Sequence, residues 1–194
     1  MTTPRLIEEW LPITEIGIES LRERTPMTPF PAPNRLHVWW ARRPLVASRA
    51  AILGALLPPD ADHDKFLHVL GIHGDPMAAK KLMANIKRGD ERIANPYGYS
   101  RAFGYVPTEK ELKWIHESVG TGVVPSILDP TAGGGSIPFE AVRMGCNALA
   151  NDLNPVAWLV LKATVEFPAQ YGSALLKRYE ELSAKWSCRV KERV

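Results

Sequence analysis

Two aspartates and a run of glycines form the most chemically suggestive pattern in this sequence. The stretch DPTAGGGSIPFEA, residues 129–141, lies between an apolar run typical of a strand and a run typical of a helix, and Asp152 follows the next apolar run. A strand that ends in a glycine turn and enters a helix offers unpaired backbone N–H groups and the positive end of the helix dipole to an anionic group. The pattern therefore predicts a ligand site made largely of backbone.

Two common chemistries for such a loop do not fit its details. A phosphate-binding P-loop carries Lys followed by Ser or Thr after its last glycine, whereas Ser136, Ile137 and Pro138 follow Gly135 here. The dinucleotide fingerprint G-x-G-x-x-G would place its third glycine at the position of Pro138. The remaining interpretation is S-adenosylmethionine, whose amino-acid end would meet Asp129 and the loop amides, and whose ribose hydroxyls would meet Asp152.

Longer motifs resemble a known family. LDPTAGGGSIPFEA resembles the D-P-x-x-G-x-G motif of amino-group DNA methyltransferases, and ANDLNPVA resembles their second motif. Together with LHVWWARRPLVASRAAILGALL and NPYGYSRAF, these motifs make residues 13–168 similar to the N-terminal part of a family of large adenine-specific DNA methyltransferases associated with bacterial phage defence. The double-tryptophan, double-arginine stretch is the more specific part of this resemblance.

The resemblance implies a set of site residues and partners. S-adenosylmethionine would be the cofactor and DNA the partner of the full-length protein, with other defence-system subunits as further partners. The methionine end would lie at Asp129, Pro130, Thr131, Gly133, Gly135 and Ser136, the ribose at Asp152, and the adenine near Leu153 and Asn154. Trp39, Trp40, Arg42 and Arg43 would contact DNA or flank the cofactor.

The catalytic tetrapeptide of this enzyme class, Asp or Asn, Pro, Pro, then Tyr or Phe, is not found in the sequence. The nearest match, residues 95–98 (NPYG), lacks the second proline and is interpreted as a turn. No catalytic residue is therefore assigned. His63 and His68 are too loosely spaced to predict a metal site.

The order of elements after residue 121 predicts an α/β fold. Strands are expected at residues 123–128 and 147–151, and helices at 136–144 and 154–167, the pattern of a parallel sheet covered by helices. We expect the front part of a class I, Rossmann-like methyltransferase domain over residues 121–194. Because sheets usually have about 5 to 6 strands, the chain is interpreted as the front piece of a longer protein.

The first 120 residues are predicted to form a mainly helical extension. A proline-rich linker at residues 25–33 precedes a helix with Pro44 in its first turn, which Pro58 and Pro59 end. Its buried face is predicted to combine Leu45, Ala51, Ile52, Ala55 and Leu56. Residues 60–101 are interpreted as an insertion or small helical subdomain with a helix at 76–87 ending near Gly89. A further helix is expected after Thr108, and a last helical run over residues 172–194.

Composition narrows the class of protein. The 194 residues are 45% hydrophobic and 23% charged, with a net charge of +3, two cysteines and no apolar window long enough for a membrane span. We expect a cytoplasmic protein without a disulfide or zinc site. Two alternatives remain open: a non-catalytic module that docks nucleic acid or protein on an inherited fold, and a fragment of an RNA methyltransferase.

Overall fold

The computed structural model describes residues 4–25, 30–85, 95–120 and 122–192. The first half of the chain is helical. Its elements are α1 (Leu6–Glu9), α2 (Ile13–Arg24), a 3₁₀ turn (Ala32–Arg35), α3 (Leu45–Leu56), α4 (His63–Leu70), α5 (Pro76–Asn85), a second 3₁₀ turn (Ala102–Gly104) and α6 (Glu109–Val119).

The second half contains a β-α-β unit followed by helices. Its elements are β1 (Ser126–Asp129), α7 (Ser136–Arg143), β2 (Asn147–Ala150), α8 (Pro155–Leu161), a π-helical segment (Lys162–Glu166) and α9 (Phe167–Lys191). Within the described residues, no helix combines the length and the apolar character needed to cross a membrane.

Helix α3 is the centre of the helical half, and its buried face differs from the predicted one. Ala51 and Ala55 are exposed, which corrects the predicted stripe, whereas Leu53 is fully buried. The helix packs against α1, α2, α4 and α7, so apolar and small residues are buried around most of its circumference. The prediction of one buried face is wrong here because neighbouring elements cover the helix on several sides.

Within the described residues of the segment 60–101, helix α4 shares the core of the rest of the chain, which corrects the predicted insertion or small subdomain. Helix α4, which the sequence analysis did not predict, places Phe66, Val69 and Leu70 in the same core cluster as Leu53 of α3. Helix α5 begins at Pro76 as predicted and is described to Asn85, so the predicted end near Gly89 lies outside the described residues. The segment at residues 95–98 is a turn, since the amide of Gly98 donates to the carbonyl of Asn95 at 3.2 Å.

Local end signals position α6 as predicted. The hydroxyl of Thr108 accepts from the amide of Glu111 at 3.3 Å, and the Glu111 carboxylate accepts from the amide of Thr108 at 2.7 Å, which completes a capping box. Gly120 then ends the helix in a left-handed conformation. The Glu111 carboxylate also accepts from the Tyr105 hydroxyl.

Strands β1 and β2 are parallel neighbours, connected through α7. Their register pairs Ile127 with Ala148 and Leu128 with Leu149. Ile127 and Ala148 pack against the core, while Leu128 and Leu149 stay 67% and 58% exposed on the opposite face. Because α7 contacts both strands and α3, the glycine loop between β1 and α7 is anchored to the helical half of the chain.

A buried ion pair joins the two halves. The Arg49 side chain of α3 donates to the Glu140 carboxylate of α7 at 2.7 Å, and neither side chain has any exposure. Arg49 also donates to the carbonyls of Val69, Leu70 and Tyr105. These bonds satisfy a buried guanidinium, which would otherwise be costly to place in the core.

The helix predicted at residues 154–167 is longer and less regular than expected. Asn154 caps α8 by accepting from the amide of Val156 at 2.9 Å, and Pro155 is its first residue, both as predicted. The chain then continues through the π-helical segment into α9 and stays helical past residue 167, which corrects the predicted end. Gly172, at φ 50°, marks a kink inside α9.

Candidate functional site

The glycine loop follows β1 directly. The amide of Thr131 donates to the Asp129 carboxylate at 3.2 Å, and the amide of Gly135 donates to the carbonyl of Ala132 at 2.8 Å. Asp129 is buried at the carboxyl end of β1. Gly133 and Gly135 have φ values of 52° and 81°, a region in which a residue with a side chain is strained. The loop conformation therefore depends on glycine at both positions.

Asp152 connects the end of β2 to this loop. One carboxylate oxygen accepts from the amide of Gly133 at 2.8 Å, and the other accepts from the amide of Asn154 at 2.8 Å. The hydrogen bonds from the Asn154 and Gly133 amides lower the pKa of Asp152, so the carboxylate is ionised at neutral pH. An anionic group thus lies between the carboxyl ends of the two strands.

The indole of Trp39 covers the loop. A Cβ added to Gly133 would lie 2.6 Å from Nε1 of Trp39, and one added to Gly134 would lie 2.6 Å from Cβ of Trp39. Trp39 itself is only 9% exposed. Gly133 and Gly134 therefore both serve a packing role, since a side chain at either position would displace Trp39.

Residues 39–43 are held in place from two sides. The hydroxyl of Ser136, the first residue of α7, donates to the carbonyl of Arg43 at 2.8 Å. On the other side, the Glu23 carboxylate of α2 accepts from the amide of Leu45 at 2.9 and 3.0 Å and from that of Val46 at 3.4 Å. These contacts cap the N-terminus of α3 and fix the chain that enters it.

Glu23, which no sequence pattern indicated, helps to position the segment at residues 39–43 through the start of α3. Burial raises its pKa to about 6, even though the hydrogen bonds from Leu45 and Val46 favour the ionised form. Its partners are 22 and 23 residues away along the chain. Because the contact is not local, no motif or spacing in the sequence could have indicated it.

A cavity of about 520 Å³ is bordered by the loop and by Trp39. It lies in the size range of small-molecule sites in proteins, about 300 to 1,000 Å³. Three segments line it. They are residues 39–43, the glycine loop with the first turn of α7 (residues 129, 131–134, 136 and 137), and Asp152 with Asn154. The double-tryptophan segment and the glycine loop therefore border the same space.

Three residues of this loop and the following helix line the cavity and have backbone N–H groups available as donors. In the part of the chain that the structure describes, no hydrogen bond engages the N–H groups of Gly134, Ser136 or Ile137. The amides of Gly133 and Gly135, which the sequence analysis assigned to the cofactor, are already engaged by Asp152 and Ala132. The backbone donors available for an anion therefore lie one residue further along the chain than Gly133 and Gly135, and they continue into the first turn of α7.

The other predicted residues are distributed unevenly around the cavity. Pro130 is exposed and does not line it, and Gly135 lies on the other side of the loop, where an added Cβ would be 3.1 Å from Leu161. Leu153 is 98% exposed and lies outside the lining. Trp40 does line the cavity, yet its side chain is 86% exposed.

A second cavity, of about 630 Å³, is lined by β2, by α7 and by the helices that follow β2. Leu149, Trp158 and Val165 are among its lining residues, and Asp152 borders both cavities. This second space lacks the loop amides. We therefore assign the ligand chemistry to the smaller cavity, where charge and open donors converge.

The histidines of the predicted helical region have structural partners. The ring of His63 stacks on Trp10 with 3.7 Å between centroids, and His68 forms a 2.7 Å contact with the Glu111 carboxylate. Among the described residues, no group of three or more His, Cys, Asp or Glu side chains is arranged to hold a metal ion.

Comparison with known proteins adds one finding. Residues 10–69 match a family model described as "Protein of unknown function (DUF1156)". The matched segment contains Trp39, Trp40, Arg42 and Arg43 and ends before β1, so it includes one wall of the cavity and not the glycine loop. No curated protein and no solved structure matches the chain.

Proposed function

We propose that the chain is the S-adenosylmethionine-binding portion of a DNA methyltransferase that acts on the exocyclic amino group of adenine. The observation that carries the proposal is the bond from the Gly133 amide to Asp152, because it unites the loop after β1 with the end of β2 beside an open cavity. Acidic residues that close a second parallel strand are typical acceptors for ribose hydroxyls.

The chemistry of the donors fits this cofactor. The open amides of Gly134, Ser136 and Ile137 suit the methionine carboxylate, and the buried carboxylate of Asp129 suits the methionine amino group. Asp152 can keep its bonds to Gly133 and Asn154 and still accept from hydroxyls, since a carboxylate has about four acceptor positions. When bound, the cofactor would supply a methyl group on a sulfonium for transfer to the amine.

The same proposal covers fold, location and partners. The β1-α7-β2 unit would be the front part of a class I, Rossmann-like domain over residues 121–194, preceded by the helical extension of residues 1–120. The catalytic tetrapeptide would come from a further segment or another chain, as the sequence resemblance implies. We place the protein in the cytoplasm as part of a restriction or phage-defence system, with DNA as the partner.

Calorimetric titration with S-adenosylmethionine tests the cofactor assignment. We expect weak binding by the protein and about tenfold weaker binding by Asp152→Ala, because a hydrogen bond to a charged acceptor is lost. Asp60→Ala, which removes an exposed aspartate outside the cavity lining, is the matched control and should bind as the wild type does. Absence of binding by the wild type, or equal affinity for the two variants, would contradict the proposal.

A non-catalytic docking role is the second candidate. The observation in its favour is that Trp39 already fills the space above Gly133 and Gly134, while Trp40 projects outward. Salt-sensitive DNA binding together with no response to S-adenosylmethionine would support this role. An RNA methyltransferase would share the cofactor site and prefer a ribo-oligonucleotide in the same assay.

A further inference from the structure

The two adjacent tryptophans have opposite environments. Trp39 is 9% exposed and packs on the glycine loop, whereas Trp40 is 86% exposed at the rim of the same cavity. The ring centroids are 6.4 Å apart, with 33° between the ring planes. The Trp39 side chain is thus buried against the glycine loop and has little surface left for a partner. Most of the Trp40 indole is accessible to a partner.

The sequence around Trp40 is strongly basic. From residue 24 to residue 59 there are five arginines and no aspartate or glutamate. Two of these arginines, Arg42 and Arg43, line the cavity together with Trp40. Within the described residues, neither of them forms an ion pair, although Arg42 is close enough to Glu23 to favour its ionised form. We call Trp40, Arg42 and Arg43 the rim cluster.

An exposed aromatic ring beside unpaired cations fits a single-stranded nucleic acid. A base can stack on the indole, and the guanidinium groups can contact phosphates on the flanking backbone. A base that receives a chemical group must also leave the duplex before it can reach a cavity. The absence of acidic residues over this segment favours such a polyanion over a protein partner, whose interfaces carry mixed charges.

We propose that the rim cluster is a DNA-binding site in which Trp40 stacks on an unpaired or extruded base while Arg42 and Arg43 contact the adjoining phosphates. This proposal rests on the proposed function, because it places the methyl acceptor next to the cofactor cavity. It assigns the two tryptophans different roles. Trp39 supports the glycine loop, and Trp40 holds the substrate.

Fluorescence anisotropy with a labelled single-stranded oligodeoxynucleotide tests the role of Trp40. We expect Trp40→Ala to weaken binding about tenfold, since base–aromatic stacking has this order of magnitude. Trp40→Phe should retain most of the affinity because it keeps an aromatic face. Trp186→Ala is the matched control, as Trp186 on α9 is 70% exposed and lies outside the cavity lining. A fully duplex oligonucleotide should bind more weakly than the single strand.

The salt dependence tests the arginines separately. Removal of one phosphate contact should lower the slope of log K against log salt by about 0.7 for a single strand. We expect this change for Arg43→Ala and no change for Trp40→Ala. Equal losses for Trp40→Ala and Trp186→Ala, or an unchanged slope for Arg43→Ala, would overturn the proposal. A strong preference for a ribo-oligonucleotide of the same sequence would overturn the assignment to DNA.

The DNA-binding and S-adenosylmethionine-binding experiments together distinguish failure of this proposal from failure of the cofactor assignment. Trp40-dependent DNA binding by a protein that does not bind S-adenosylmethionine would leave the rim cluster in place and reject the methyltransferase function. Binding of S-adenosylmethionine that depends on Asp152, together with DNA binding that is indifferent to Trp40→Ala, would reject the rim cluster alone.

Discussion

The contact between Trp39 and the glycine loop can be tested by a double-mutant cycle. In Gly133→Ala the new methyl group would lie 2.6 Å from Nε1 of the indole, so the ring must move. In Gly134→Ala the new methyl would lie 2.6 Å from Cβ of Trp39, an atom that Trp39→Ala retains. Truncation of the indole should therefore relieve the first clash and leave the second in place.

The expected magnitudes follow from these geometries. Gly133→Ala should lower the free energy of unfolding by about 1–2 kcal/mol for the left-handed backbone and by a further ~1–3 kcal/mol for overpacking against the indole. Trp39→Ala alone should cost about 3–5 kcal/mol as a large-to-small change at a buried position. In the double variant the overpacking cost disappears, so the two effects should fall short of additivity by about 1–3 kcal/mol.

Guanidinium chloride unfolding of the single and double variants measures this coupling. Gly134→Ala combined with Trp39→Ala serves as the control, and its effects should add because the clash with Cβ persists. Additivity to within about 0.5 kcal/mol for the Gly133 pair would show that the indole does not lie on the loop. Equal coupling in both pairs would also contradict the geometry, since it would indicate a general loosening of the segment.

Further predictions concern the contacts that hold the site. The pKa of Glu23 is raised from its ordinary 4.5 to about 6, so the folded protein binds this proton more tightly than the unfolded chain does. The resulting contribution to the unfolding free energy is fully present below pH 4.5 and is lost as the pH rises through 6. The difference in unfolding free energy between the wild type and Glu23→Gln should change by about 2 kcal/mol between pH 4.5 and pH 7, as measured by denaturant titration; a constant difference would refute this. Glu140→Ala should lower the unfolding free energy by about 3–5 kcal/mol by leaving Arg49 buried and unpaired, while Glu117→Ala, in an exposed pair, should cost less than about 1 kcal/mol in the same assay. Thr108→Ala should cost about 1 kcal/mol in thermal unfolding through loss of the α6 cap, and a variant with Ser at this position should restore it.

The sequence predicted the features that depend on near neighbours. The capping box at Thr108, the cap at Asn154 and the parallel strands around the glycine loop all follow from residues a few positions apart, and the structure contains them. These signals are local because they concern backbone groups at the ends of helices and strands.

Contacts between distant segments were not predictable. The bond from Glu23 to the N-terminus of α3 and the ion pair of Arg49 with Glu140 depend on how the helices pack, and polar residues in these positions look like ordinary surface residues in the sequence. The sequence also gave no basis for distinguishing Trp39 from Trp40. Only the path of the chain over Gly133 and Gly134 decides which indole is buried.

The central claim is that a cofactor lies against the loop amides. A titration of ¹⁵N-labelled protein with S-adenosylmethionine, followed by amide resonances, tests this claim most directly. We predict selective shifts for the open amides of Gly134, Ser136 and Ile137, with Gly98 and Gly120 unaffected because both lie outside the cavity lining. Unchanged loop resonances at saturating cofactor, or shifts confined to residues remote from the cavity, would contradict the account.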